Sequence, residues 1–236
     1  LKIIIFLIVV NVAAGAGAQQ TAGNLGVNLN AKTLSVQAKA EELFNREDYR
    51  RARVIYLNDL APIGDKYAQY MLGFMSLSGL GVEQDPVLAS AWYRLAAERG
   101  VPREFVAVRD DLLSQLDAAD RARSDEMYLA LRRQYSDLVI SLREVRDALN
   151  DRSQVRTGSL LGSQSSAITI IEPRAGGNLS SGDEFMQRLE RRMQRYLDHI
   201  TATLDIDRIE AGSVTAAKLA NLEQQVDDYL RRSDGG

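Results

Sequence analysis

From Ser35 to about Asn150, apolar and Ala positions recur three and four residues apart with few β-branched alternations, which is the period of amphipathic helices. The clearest stretch runs from Ala68 to Gly100. Its first half puts Ala68, Leu72 and Met75 on one face, with Gly73 permitting a neighbouring helix to approach closely. Its second half puts Ala89, Trp92, Tyr93, Ala96 and Gly100 along another face. Gly79 and Gly81 supply the positive φ angles of a tight interhelical turn, and Asp85-Pro86 is a helix start with Asp as cap and Pro in the first turn. Gly100 ends the second helix before Pro102. The pattern predicts a helical hairpin.

Downstream, a helix over Arg103 to Leu116 carries Phe105, Val108, Leu112, Leu113 and Leu116. Tyr128, Leu131, Tyr135, Leu138, Leu142, Val145 and Leu149 then show an alternating three-and-four spacing. That seam predicts one long capping helix across 117–150, packed on the preceding hairpins, with self-association through a short coiled coil as the alternative. Asp151 to Ser166 is rich in Ser, Gly and Gln and reads as a linker within 151–181; Ala167 to Ile171 reads as a short strand and Arg174 to Ser181 as a loop. Ser181 with Glu184 is a capping box that opens a helix bearing Phe185, Met186, Leu189, Met193, Tyr196, Leu197, Ile200 and Leu204. A last amphipathic helix spans Thr215 to Arg231, so 182–236 is expected to be a small helical C-terminal module.

The hairpin stretch resembles a Sel1-like repeat, a sub-class of the tetratricopeptide superfamily with the pattern A-x-x-x-L-G, G-x-G-V, D, A-x-x-W-Y-x-x-A-A-E-x-G. The matching positions are Ala68, Leu72, Gly73, Gly79, Gly81, Val82, Asp85, Ala89, Trp92, Tyr93, Ala96, Ala97, Glu98 and Gly100. Ser76 stands where the family carries an aromatic residue, which implies looser packing there. The preceding stretch, with Ala40, Leu43, Ala52, Tyr56 and Pro62, resembles an ordinary tetratricopeptide repeat, Asp59 being its departure. The resemblance implies an all-α fold in which 34–116 forms a short solenoid, and it implies adaptor or scaffold roles through protein binding. First helices of such hairpins line a concave groove. That makes Lys66, Gln69, Tyr70, Phe74 and Leu77 the candidate partner contacts.

The N-terminus changes the expected compartment. Lys2, the apolar run Ile3 to Val10 and the small residues ending Ala16-Gly17-Ala18 have the order of a secretory signal, with cleavage expected after Ala18. Retention as a membrane anchor is the alternative, and residues 19–33 read as a flexible lead-in. The expected location is exported, periplasmic or secreted.

Composition narrows the chemistry. The 236 residues contain no Cys and a single His, which removes disulfides, thiolate ligands, Cys nucleophiles and two-His metal motifs. With a net charge of −3 and a pI near 5.4, bulk-charge binding of nucleic acid is not expected. No P-loop, dinucleotide fingerprint, nucleophile elbow or zincin motif occurs. His199 reads as a helix-surface residue, and Asp110-Asp111 and Asp227-Asp228 as solvated charges. Arg188, Arg191, Arg192 and Arg195 form a basic stripe that suits an anionic surface or an acidic partner. No catalytic residue, metal or cofactor is assigned. The function expected is non-enzymatic protein binding in a bacterial envelope, with a peptidoglycan hydrolase or its accessory and a homo-oligomeric structural protein as alternatives.

Overall fold

Helix boundaries in this chain are set by a few capping side chains and left-handed residues, and a computed structural model describes residues 31–100, 102–157, 169–172 and 178–232. The signal reading, residues 19–30 of the lead-in and the linker residues 158–168 and 173–177 lie outside the described residues, whereas 31–33 of the expected flexible lead-in and 151–157 of the expected linker are helical. Helix α1 is Ala31–Asn45 and turns through Glu47, at φ 62°, into α2, Tyr49–Ile55. Helix α2 continues as a wide π-helical turn, Tyr56–Leu60, and a 3-10 turn, Ala61–Ile63. The wide turn leaves Asp59 in solvent while burying Tyr56 and Leu60, so the departure at Asp59 is accommodated.

The second hairpin joins α3, Lys66–Ser78, to α4, Pro86–Ala96. Asp65 caps α3 by accepting the Ala68 amide at 3.0 Å, and Asp85 caps α4 by accepting the Val87 and Leu88 amides at 3.0 and 2.9 Å. Gly73 is a contact point as well as a motif position: a Cβ there would sit 2.7 Å from the Tyr93 ring of α4. Gly81, at φ 69°, lies so close to α2 that a Cβ would meet the Tyr49 carbonyl carbon at 2.7 Å. Ser76 is fully buried and its hydroxyl donates to the Leu72 carbonyl at 2.8 Å, which satisfies the group that replaces the family's aromatic.

Helices α5, Arg103–Gln115, and α6, Ala118–Tyr135, both pack against α4 rather than pairing as a third hairpin. Leu112 joins Ala89 and Tyr93, and the Ser90 and Ser124 hydroxyls meet at 2.6 Å where α6 crosses α4. The all-α architecture expected from the sequence is therefore present, but the single cap helix is not. It breaks at Ser136, whose hydroxyl accepts the Val139 amide at 3.3 Å and opens α7, Asp137–Thr157. The seam is divided by that break. Tyr128, Leu131 and Tyr135 pack on the hairpin core around Tyr56, Leu72 and Trp92, whereas Leu138, Leu142, Val145 and Leu149 pack into a second core. The seven residues thus have partners within the chain, and the coiled-coil reading loses its exposed stripe.

The second core gathers α7, α8 (Gly182–Leu204) and α9 (Ala216–Arg232) around Met193, Leu197, Ile200, Leu222 and Val226. The capping box of Ser181 and Glu184 is formed as the sequence predicts. Before it, Thr169–Glu172 (β1) pairs antiparallel with Asn178–Ser181 (β2), from Thr169 opposite Ser181 to Glu172 opposite Asn178. Part of the expected Arg174–Ser181 loop is therefore a strand. Arg152 of α7 reaches the carbonyls of Ala211 and Val214 and fixes the 3-10 turn Ala211–Ser213 against this core.

Candidate functional site

The groove expectation rested on the non-core positions of α3, and two of its five residues are not in a groove at all. Lys66 and Gln69 are fully buried. The reason is electrostatic. The Lys66 ammonium lies 3.0 Å from Glu98 Oε2 and 3.3 Å from Asp137 Oδ1, and it donates to the Leu95 carbonyl at 2.9 Å and to Gln69 Oε1 at 3.2 Å. Arg99 completes the group: its Nε and Nη2 both lie 2.8 Å from the Asp137 carboxylate, a two-pronged pairing, and Nη2 also donates to the Gly64 carbonyl at 3.3 Å. Glu98 Oε2 in turn accepts the Asp137 amide at 3.1 Å. Two cations thus face two carboxylates across α3, the end of α4 and the start of α7. Burial works to raise the Asp137 pKa, and the Lys66 ammonium and Arg99 guanidinium overcome it, holding the carboxyl below its ordinary value. Gln69 donates its amide to the Tyr135 carbonyl at 3.1 Å, the last residue of α6. Lys66 and Gln69 therefore lock the repeat to α6 and α7, and neither is available to a partner.

Of that network, the sequence pattern marks only Glu98, as a motif position. The signal for Asp137 was present: Ser136-Asp137 is a cap leading into an acidic first turn, placed where the seam breaks.

The remaining three candidates behave differently. Tyr70, Phe74 and Leu77, together with Tyr67, are half-buried and succeed one another at three and four along α3. Tyr70 stacks on Phe105 of α5 with ring centroids 4.5 Å apart, and Phe74 approaches Phe44 of α1 at 6.3 Å. The stripe is therefore packed along its flanks by α1 and α5 and half-exposed along its crest. This is the apolar, aromatic lining that a bound segment would contact.

The Arg stripe of α8 is split. Arg188, Arg191 and Arg195 are exposed, but Arg192 turns toward α7, with Nη2 3.4 Å from Asp151 and Nε 3.9 Å from Glu144. His199 is half-buried, not a plain surface residue. Burial lowers its pKa against the opposing pull of Asp137 and Glu98, whose charges reach it across the junction. Among the described residues, no three His, Asp or Glu side chains gather as a metal site, and no helix is long and apolar enough to cross a membrane.

Two successive helical hairpins and the two helices packed on the second, with a glycine turn, a close Gly73–Tyr93 contact and a buried Trp92, define a protein of the helical-hairpin repeat class. Residues 66–101, which span the central hairpin, match the Sel1 repeat, and the chain carries a Sel1-like repeat. No curated protein and no solved structure matches the chain. Sel1 repeats are in general protein–protein interaction modules and typically non-enzymatic.

Proposed function

We propose that this chain is a non-enzymatic adaptor or scaffold of the bacterial cell envelope, which holds an extended or helical segment of a partner protein along the first helices of its hairpins. The observation that carries the reading is the Sel1 repeat at 66–101, folded as a hairpin that presents the half-exposed crest of Tyr67, Tyr70, Phe74 and Leu77. Such a crest offers aromatic area at low conformational cost, the usual chemistry of binding anchors. The rigid support comes from behind, where the Lys66–Asp137 network fixes α3 against α4 and α7.

The envelope part of the proposal rests on the N-terminal order of Lys2, Ile3 to Val10 and Ala16 to Ala18. N-terminal sequencing of protein recovered from an envelope fraction is expected to begin at Gln19.

Cross-linking in cells that express the wild type, Phe74→Glu or Leu77→Lys tests the groove. A partner captured by the wild type and lost with either variant, while the purified variant keeps its thermal transition, supports the reading. A partner retained by both folded variants overturns it and moves the contact to another face.

A further inference from the structure

The second helix of the first hairpin turns a face to solvent that neither the packing of the repeats nor the crest of α3 uses. Ala52 and Tyr56 of α2 are fully buried and fix which side of the helix meets the core. Arg50 and Val54 each stand two positions from Ala52, about 200° around the helix, and so lie nearly opposite that side. Arg53 and Leu57 complete the face, because Arg50, Arg53, Val54 and Leu57 follow the i, i+3, i+4, i+7 spacing that makes four side chains neighbours on one helix. Val54 is 53% exposed, the most exposed large apolar side chain among the described residues. Arg50 is exposed, and Arg53 and Leu57 are half-buried at the edge of the patch.

The charges of this face are unbalanced. Helix α2 carries Arg50, Arg51 and Arg53 and no acid of its own. Arg51, off the face, meets Asp48 at 3.4 Å. The side chains of Arg50 and Arg53 have no hydrogen bond or ion pair among the described residues, and the Arg53 Nε is buried without an acceptor. Like charges one turn apart on a helix repel, and nothing within the described chain offsets that repulsion. The chemistry that completes the face is therefore anionic at two points and apolar between them. A basic segment that holds a protein to anionic lipid gathers about four to eight cations, and this face offers two. A nucleic acid would gain little from two phosphate contacts on a chain of net charge −3. We propose that this face binds an acidic segment of a partner protein, in which an aliphatic side chain seats on Val54 and Leu57 and two flanking carboxylates take Arg50 and Arg53. A guanidinium accepts such a carboxylate through two parallel N–H bonds, and the aliphatic contact removes the Val54 methyl groups from water. The face lies on α2 and the crest on α3, so the protein gains a second contact, independent of the groove, as a scaffold that joins two segments requires.

A photo-crosslinking amino acid placed at Val54 of the full chain, expressed in its own cells, tests the face, with the linked residue mapped by mass spectrometry. The adduct expected is to a protein other than this chain, at a residue with Asp or Glu within one helical turn on each side. Arg50→Glu and Arg53→Glu should each lower its yield about tenfold, because an attraction becomes a repulsion. Neither removes a bond within the described residues, so the melting temperature should hold. Arg51→Glu, on the same helix but off the face, should leave the adduct in place. A synthetic peptide of the mapped segment should bind the purified wild type, lose about tenfold in affinity against Arg50→Glu, and regain it when the facing acid of the peptide is replaced by Arg. The proposal is overturned by no adduct, or by an adduct to lipid, to a second copy or to residues 1–30 of this chain. It is overturned equally by an adduct that both Arg50→Glu and Arg53→Glu leave unchanged, or that Arg51→Glu removes as fully as they do. Phe74→Glu should leave the Val54 adduct intact, so the loss of a groove partner with that variant and the loss of this adduct with Arg50→Glu are separate results.

Discussion

The hairpin region and the C-terminal three-helix unit are both built from amphipathic helices, yet they use polar groups in opposite ways. The hairpins bury Asp65, Lys66, Gln69, Ser76, Ser90 and Ser124, each tied to a partner on its own or a neighbouring helix. The three-helix core around Met193, Leu197 and Ile200 is apolar, with Arg152, Ser141 and Thr201 as the buried polar residues of its helices beyond the junction residue Asp137. Apolar packing is tolerant of exchange and indifferent to small shifts, whereas a buried hydrogen bond exists at one register. The hairpins are thus specified by directed bonds and the C-terminal unit by volume. The two meet at Ser136-Asp137, where the polar device of one region is attached to the first helix of the other.

The largest break in this comparison is expected at the junction. Asp137→Ala would leave the Lys66 ammonium and Arg99 guanidinium buried without their shared carboxylate, a loss of about 3–5 kcal/mol in denaturant unfolding. The pH dependence has a definite sign. Because the folded pKa of Asp137 lies below its unfolded value of about 3.9, its contribution is complete above that value and is lost as pH falls through the folded pKa. Wild-type stability should therefore decline below about pH 4 with a component that Asp137→Asn lacks. Equal slopes in the two proteins would remove the network from the account of stability.

Next in size are deletions inside each core. Trp92→Ala, which empties a site shared with Tyr135 at a ring separation of 5.3 Å, should cost about 3–5 kcal/mol, and Leu197→Ala about 2–5 kcal/mol. The sharper test is the replacement that conserves volume. Leu197→Met should cost less than about 1.5 kcal/mol, since the second core asks for bulk. Gln69→Met, also similar in volume, should cost about 1–3 kcal/mol because it strands the Tyr135 carbonyl and a donor of Lys66. Thermal or denaturant unfolding of the pair checks the ordering, and a reversal would mean that volume governs both regions.

How much of this was legible in the sequence differs between the regions for the same reason. The Sel1-like pattern exposed the cap at Asp85, the turn glycines and a close helix approach at Gly73, because each is a local steric or capping requirement that leaves a fixed residue at a fixed spacing; that Tyr93 makes the approach is seen only in the fold. The capping box at Ser181 was legible on the same ground. Lys66 and Gln69 were not, since charge and amide groups at non-core positions of a helix ordinarily mean exposure. Only the tertiary approach of Glu98, Arg99 and Asp137 makes their burial favourable. The 3-4 seam across Tyr135 and Leu138 was continuous as a pattern. A hydrophobic period does not show whether its two halves face the same partner, and the Ser136 cap divides them.

Backbone conformation gives a smaller contrast. Gly81→Ala places a Cβ 2.7 Å from the Tyr49 backbone at a φ of 69°, so strain and clash combine. A loss of about 2–3 kcal/mol is expected from such a position. Gly212→Ala, in the 3-10 turn of the C-terminal unit, meets nothing within 4 Å and has no positive φ, so its effect should stay within about 0.5 kcal/mol.

The smallest effect expected is at the surface of the second region. Arg146 of α7 meets Glu223 of α9, with Nη2 2.6 Å and Nε 2.9 Å from the same carboxylate oxygen. The same two nitrogens are used by Arg99, there one on each oxygen of Asp137, and the surroundings differ as well: the Arg146 side chain is 49% exposed, against 9% for Arg99. Water already solvates both partners, so little solvation is recovered or lost when the pair is broken, and added salt screens what attraction remains. Arg146→Ala should therefore cost less than about 1 kcal/mol and become neutral at high salt. Asp137→Ala should keep most of its loss under the same salt, because ions do not reach a buried pair. If salt rescued both variants alike, the junction would be as solvated as the surface, and the distinction between a region specified by directed bonds and one specified by volume would fall with it.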